Sequence, residues 1–151
     1  MIKVPNLDLP DIQIQPAGVD LTMGKIFEFT TKGQIDYDNS NRKISDVKEL
    51  KFEDEIFLKT GVYKVQLSEI IKIPNDCLGI CLPRSTLLRC GATIHTAFWD
   101  PGYEGKSEIL LVVHNPNGLI LKKKARIAQM TFAKVEDAKG SYKGAYHKEN
   151  L

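Results

Sequence analysis

Four short segments carry residue types suited to chemistry on a charged small molecule: Pro16-Ala17-Gly18-Val19-Asp20-Leu21, Pro83-Arg84-Ser85-Thr86, Trp99-Asp100-Pro101-Gly102-Tyr103-Glu104-Gly105 and Ala125-Arg126-Ile127-Ala128-Gln129. Asp20 and Asp100 offer carboxylates to a metal ion or a water. Arg84 sets a planar cation beside the hydroxyls of Ser85 and Thr86 and the amides of a possible helix start, an arrangement that suits phosphate. Trp99 and Tyr103 add aromatic surface for a sugar or a base. Together they form a kit for a nucleoside triphosphate. Each also has a plainer reading. An Asp before Pro-Gly commonly caps a tight turn, Asp20 does the same near a strand start, and Arg84 or Gln129 simply faces solvent.

The elements that must position these residues are almost all β, because apolar residues alternate or come in short runs bounded by turn residues. The pattern predicts strands over 12–15, 19–29, 55–58, 62–68, 78–82, 92–96, 108–115, 119–121 and 126–134. Turns at Lys59-Thr60-Gly61, Pro74-Asn75-Asp76, Asp100-Pro101-Gly102 and Asn115-Pro116-Asn117-Gly118 supply the fixed φ of proline and the positive φ of Gly or Asn. Many short strands joined this way favour a jelly roll or barrel. At most one short helix is expected, Ser85 to Arg89, with Ser85 as its cap. Residues 30–52 turn polar and read as an exposed hairpin or loop. Residues 136–151, rich in Lys, Gly and Tyr, read either as a frayed terminus or as an arm that orders only over a ligand.

A chain of 151 residues without an internal Ser/Gly/Pro linker is expected to form one domain. Its 21 basic and 19 acidic side chains leave a formal charge of +2, too even a balance for a nucleic-acid-binding field. No apolar run approaches the roughly 20 residues that cross a bilayer, and the first residues lack the apolar stretch of a signal peptide, so a cytoplasmic protein with no membrane partner is expected. Cys77, Cys81 and Cys90 read as buried thiols. The Cys-x-x-x-Cys spacing lacks a second ligand pair, and His95, His114 and His147 form no ligand pattern, which speaks against zinc.

The order and content of the four segments resemble the first four motifs of the trimeric deoxyuridine triphosphatase (dUTPase) family, whose fold is shared with the dCTP deaminases; the combination of Arg-Ser-Thr-Leu-Leu-Arg at 84–89 with Asp-Pro-Gly-Tyr at 100–103 resembles the archaeal branch. The resemblance runs from about Gln13 to the C-terminus and implies a distorted jelly roll or β-barrel of the β-clip type with a flexible C-terminal arm at 136–151. It implies hydrolysis of dUTP to dUMP and pyrophosphate with Mg2+, and a homotrimer whose active sites are shared between chains. By the family pattern Asp100 orients the attacking water, Tyr103 packs under deoxyribose, and Arg84, Ser85, Thr86 and Arg89 meet the substrate with His95, Thr96, Ala97 and Trp99. Gln129 reaches phosphate or metal-bound water, Asp20 supports that water, and the arm offers Tyr146 to the base and Lys143 to phosphate. Two departures matter: Ala97 stands where many dUTPases have Gly, and the tail lacks the usual Gly-Phe-Gly-Ser-Thr-Gly. The rival reading is dCTP deaminase, whose catalytic Glu falls ten residues beyond the motif-three Asp. Here that position is Leu110. Glu108 lies on the same strand face, displaced by roughly 7 Å.

Overall fold

The computed structural model describes residues 4–151. Twelve strands and two short helices follow one another as α1 (Pro10–Gln13), β1 (Ile14–Gln15), β2 (Gly18–Phe29), β3 (Val47–Glu49), β4 (Glu55–Leu58), β5 (Gly61–Leu67), β6 (Ile71–Lys72), β7 (Cys77–Pro83), α2 (Ser85–Arg89), β8 (Ala92–His95), β9 (Glu104–Gly105), β10 (Glu108–Val113), β11 (Leu119–Lys122) and β12 (Arg126–Lys134). The principal sheet runs β7-β12-β2-β5-β10-β8, with β1 and β3 also on β2. All its pairings are antiparallel, and it curls into a nearly closed barrel. Two small pairs, β11-β4 and β6-β9, complete the wall.

Strand β2 is the spine. Its first half pairs with β12 (Gln129 opposite Asp20) and its second half with β5 (Ile26 opposite Val65), across an irregularity between Met23 and Lys25. Val19, Leu21, Met23 and Ile26 enter a core shared with Val65, Leu67, Ile71, Leu111, Ile127 and Met130. Asp20 and Thr22, on the opposite pleat, are also buried. A strand that alternates apolar and polar residues, with both sets out of water, has a polar partner on the second face.

The β-rich fold expected from patterning is present, with boundaries shifted by a residue or two at most strands. Three corrections stand out. The stretch 12–15 is not a strand: Pro10 at the first helical position and Asp11 in the first turn support α1, and only Ile14 and Gln15 pair with β2. Two short helices therefore replace the expected one. Ser85 does not cap α2; the extended Arg84 does, without a side-chain hydrogen bond. Of the thiols only Cys81 is buried, its pKa pushed up to about 12 by that burial, while Cys77 is half-buried and Cys90 exposed. Among the described residues, no group of three or more His, Cys, Asp or Glu side chains could hold a metal ion, and no helix is long and apolar enough to cross a membrane.

Candidate active site

The sequence-predicted residues gather in two groups. The first surrounds Asp20, which is 1% exposed. Its Oδ2 accepts from Arg84 Nε at 2.8 Å and Arg126 Nη1 at 3.1 Å, and its Oδ1 accepts from Gln129 Nε2 at 3.3 Å. The pairing of β2 with β12 brings Gln129 opposite Asp20, and the pairing of β12 with β7 delivers Arg84 just past Pro83. Arg84 also donates from Nη1 to the Arg126 carbonyl at 3.3 Å. One buried carboxylate thus holds two guanidiniums whose side chains remain about a quarter exposed. Their remaining N–H groups form a positively charged donor surface, the chemistry that captures phosphate. Ser85 and Thr86 open α2 beside it, exposed, and Arg89 folds back to donate to the Ser85 carbonyl at 3.1 Å.

A buried polar layer backs this cluster. Gln13, from α1, donates from Nε2 to the Asp20 carbonyl at 3.1 Å and to Glu69 Oε1 at 2.8 Å. Glu69 also accepts from the Thr22 amide and hydroxyl at 3.0 and 2.8 Å. Burial pushes the Glu69 carboxyl above its ordinary range, against the pull of those hydrogen bonds. Arg126 Nη1 closes the circuit on the Ile12 carbonyl of α1. Gln13, Glu69 and the role of Arg126 escaped the sequence reading. Their signal was indirect, since a buried Asp20 demands a cation and its neighbours demand acceptors.

The second group lines a cavity of about 410 Å³ bounded by Asp100, Tyr103, Trp99, Phe98 and Ala97 of the motif-three hairpin, by Ile44 of the long polar loop, and by Tyr142, Tyr146 and Glu149 of the C-terminal segment. That volume lies in the range of small-molecule pockets. Asp100 is exposed and lines the cavity, and its carbonyl accepts from the Tyr103 amide at 3.1 Å to close the turn. Trp99, expected among the substrate-binding residues, lines this cavity. It is buried against Gly79, with amide–carbonyl hydrogen bonds in both directions at 2.8 and 3.1 Å. A Cβ at Gly79 would lie 3.0 Å from Trp99 Cβ, so the glycine permits this close approach. The Trp99 indole N–H donates to Ser107 Oγ at 2.6 Å.

Tyr103 is also largely buried, its hydroxyl 2.8 Å from both Ser107 Oγ and Glu149 Oε1. Burial pushes its phenol upward, with Glu149 adding to the rise, while burial also lifts the Glu149 carboxyl. The C-terminal segment, expected to remain without order on its own chain, instead docks on its own hairpin. Tyr142 meets the Tyr103 ring edge-on at 5.7 Å between centroids, the Lys148 amide donates to the Glu104 carbonyl, and the Lys106 amide donates to the Glu149 carbonyl. Tyr146 reaches the cavity and lies under Arg42 at 6.0 Å; Lys143 is exposed.

His95, Thr96 and Ala97 line a neighbouring groove of about 330 Å³ with Lys64, Glu108 and Leu110. Leu110 pairs in register with both His95 and Lys64. Glu108 is held by Lys64 at 2.9 Å. Arg84, Ser85, Thr86 and Gln129 line neither the larger cavity nor this groove.

Residues 2–135 match the family model described as dCTP deaminase-like. The chain belongs to the dCTP deaminase-like family. Members with similar sequences include the probable deoxyuridine 5'-triphosphate nucleotidohydrolase of Methanosarcina acetivorans, 48% identical over 143 residues covering 93% of this chain and 84% of that protein. The corresponding protein of Archaeoglobus fulgidus is 43% identical over 141 residues, with the same two shares. The deoxyuridine 5'-triphosphate nucleotidohydrolase of Methanocaldococcus jannaschii is 44% identical over 142 residues, 92% of this chain and 90% of that one. Among solved structures, the 2'-deoxycytidine 5'-triphosphate deaminase of Agrobacterium tumefaciens superposes with a TM-score of 0.62 over 89% of this chain at 21% identity. The chain spans 44% of that deaminase, so this likeness concerns the family's fold alone.

Proposed function

We propose that the protein is a dUTP diphosphatase, hydrolysing dUTP at the α-phosphorus to dUMP and pyrophosphate and so limiting uracil in DNA. The observation that carries this reading within the family is Leu110. At the position where the family pattern puts the deaminase Glu, an apolar side chain stands in register with His95. Glu108, the nearest substitute, is engaged by Lys64 at 2.9 Å. Activation of water at the base of dCTP therefore has no uncommitted carboxylate on that strand face. The names of the similar archaeal proteins support the same substrate.

In this reading the cavity takes the nucleoside, with Tyr103 under the sugar and leaving no space for a ribose 2'-hydroxyl. Asp100 holds a water in line and accepts its proton as general base. Arg84 and Arg126, oriented by Asp20, offer N–H donors to the phosphates, joined by Ser85, Thr86 and Gln129; pre-set donors in place of mobile water are the main source of rate. A divalent cation, Mg2+ by the hardness of phosphate oxygens, neutralises the triphosphate when bound. The oxygens of Asp20 already serve Arg84, Arg126 and Gln129, so Asp20 and Gln129 would meet such a cation only through water.

The two groups become one site in a homotrimer, where the hairpin of one chain faces the arginine cluster of its neighbour. Exposed Ile12, Ile14, Leu82, Leu88 and Phe98 favour such self-association. The expected setting is the cytoplasm. The test is product analysis with dUTP and dCTP side by side in Mg2+. Conversion of dUTP to dUMP far exceeding that of UTP, dTTP or dCTP is the expected result; release of dUTP from dCTP at a comparable rate would overturn it.

A further inference from the structure

We infer that Ser107 and Glu149 are positioning residues for Tyr103, and that they fix how sharply the enzyme separates a 2'-deoxyribose from a ribose nucleotide. The inference rests on the reading of Tyr103 as the wall under the sugar.

The hydrogen atoms along this row can be placed. An indole N–H only donates, so Trp99 gives its proton to Ser107 Oγ at 2.6 Å. An ionised carboxylate only accepts, so the one Tyr103 hydroxyl proton goes to Glu149 Oε1 at 2.8 Å. Ser107 must then donate to the Tyr103 oxygen across the remaining 2.8 Å. The result is a one-way chain, Trp99 to Ser107 to Tyr103 to Glu149, in which each bond polarises the next. Ser107 is 2% exposed, so its hydroxyl has no water to fall back on. With its oxygen fixed at both ends, the phenol ring loses the freedom to swing about its Cα–Cβ bond.

The far end of the chain is built into the backbone. Glu149 reaches Tyr103 because the segment around it lies along the hairpin, with the Lys148 amide on the Glu104 carbonyl, the Lys106 amide on the Glu149 carbonyl at 3.0 Å, and Asn150 Nδ2 on the Lys106 carbonyl at 2.9 Å. Gly105 makes this possible: a Cβ there would sit 2.8 Å from the Tyr103 hydroxyl and 3.2 Å from the Glu149 amide nitrogen and carbonyl oxygen. The C-terminal segment therefore touches the sugar wall directly and sets the angle of the ring that must exclude a single hydroxyl.

Rejection by shape depends on rigidity, since a ring able to tilt by a few tenths of an ångström makes room for the extra oxygen. The experiment measures kcat/KM for dUTP and for UTP in full-length wild type, Glu149→Ala, Glu149→Gln and Ser107→Ala, with circular dichroism and melting to confirm the fold. Loss of one charge-assisted hydrogen bond in Glu149→Ala is expected to lower the dUTP-to-UTP ratio by about tenfold. Glu149→Gln, whose amide oxygen still accepts, is expected to keep the ratio within about twofold of wild type. Ser107→Ala should fall with Glu149→Ala; if that buried variant does not fold, the half-buried Glu149 pair decides. An equal loss on both substrates, leaving the ratio unchanged, would mean that Glu149 only closes the site and would overturn the inference. Were wild type inactive on dUTP, the proposed function would fail separately; calorimetric affinities for α,β-imido dUTP and UTP still read the ratio, and equal ratios in wild type and Glu149→Ala would overturn the positioning role.

Discussion

Replacing Asp20 by Asn tests the architecture of the phosphate cluster. The change is nearly isosteric but removes the one charge that Arg84 and Arg126 share at 2.8 and 3.1 Å. Breaking a buried ion pair by deleting one partner costs about 3–5 kcal/mol. Here both guanidiniums keep about a quarter of their side-chain surface in water, and the Asn oxygen still accepts one hydrogen bond, so we expect about 2–3 kcal/mol. Against a typical domain stability of about 5–15 kcal/mol this is a large fraction, and for a chain of this length it lowers Tm by about 5–10 °C. Urea unfolding at neutral pH and thermal melting both read it. A double-mutant cycle with Arg126→Gln identifies the cause. If the cost comes from two cations left facing each other, removing the second recovers part of it, with a coupling of about 0.5–3 kcal/mol. The Mg2+ concentration giving half-maximal turnover should stay within about twofold, because the carboxylate spends its oxygens on the protein's own donors. An Asp20→Asn protein that melts with wild type, or a double variant whose losses simply add, would refute the clamp.

Asp100→Asn should retain affinity for a non-hydrolysable dUTP analogue while turnover falls by about a hundredfold or more, and near-normal turnover would return Asp100 to the role of a turn residue. Removing Gly140 to Leu151 should leave a folded protein, since the buried core ends at Met130, yet lower turnover by about tenfold or more as the cavity opens to water; unchanged turnover and affinity would make the segment a passive tail. Burial raises the Glu69 carboxyl above its ordinary range, so the native state holds that proton more tightly than the unfolded chain. Its contribution to stability is fully present below the unfolded value and is lost as pH rises through the native one. Urea midpoints of wild type relative to Glu69→Gln should therefore rise between pH 7.5 and 5, and a pH-independent difference would show that Glu69 is not the group responsible.

The long strands were legible because their signal is local. Alternating apolar residues in 18–29 and 126–134, closed by turn residues, specify β2 and β12 without help from the rest of the chain. The misses are places where tertiary partners decide. The run Ile12-Gln13-Ile14-Gln15 alternates like a strand, but the burial of Gln13 on Glu69 and Asp20 fixes it as the end of α1. The three residues of β3 are a strand because the longer β2 offers them a ladder, and β6 and β9, two residues each, exist only through each other, once the chain brings Ile71 opposite Gly105. The four motifs named most of the residues gathered in the candidate site, but not how Trp99 is seated there. Its ring is needed under the hairpin, a use that depends on Gly79 lying close in space. Ser107 and Glu149 carry no motif at all, and only the docking of the C-terminal segment gives them a role.

The position of β2 between β12 and β5 also bears on how the protein is made. Asp20 meets its partner Gln129 only after more than a hundred intervening residues have been synthesised and folded back, so their loop-closure entropy must be overcome before the contact forms. During translation the early half of β2 waits with Val19 and Leu21 uncovered until β12 leaves the ribosome, while its later half can already engage β5. The phosphate cluster is consequently assembled near the end of folding. An incomplete chain exposes a sticky strand edge and carries no working arginine pair.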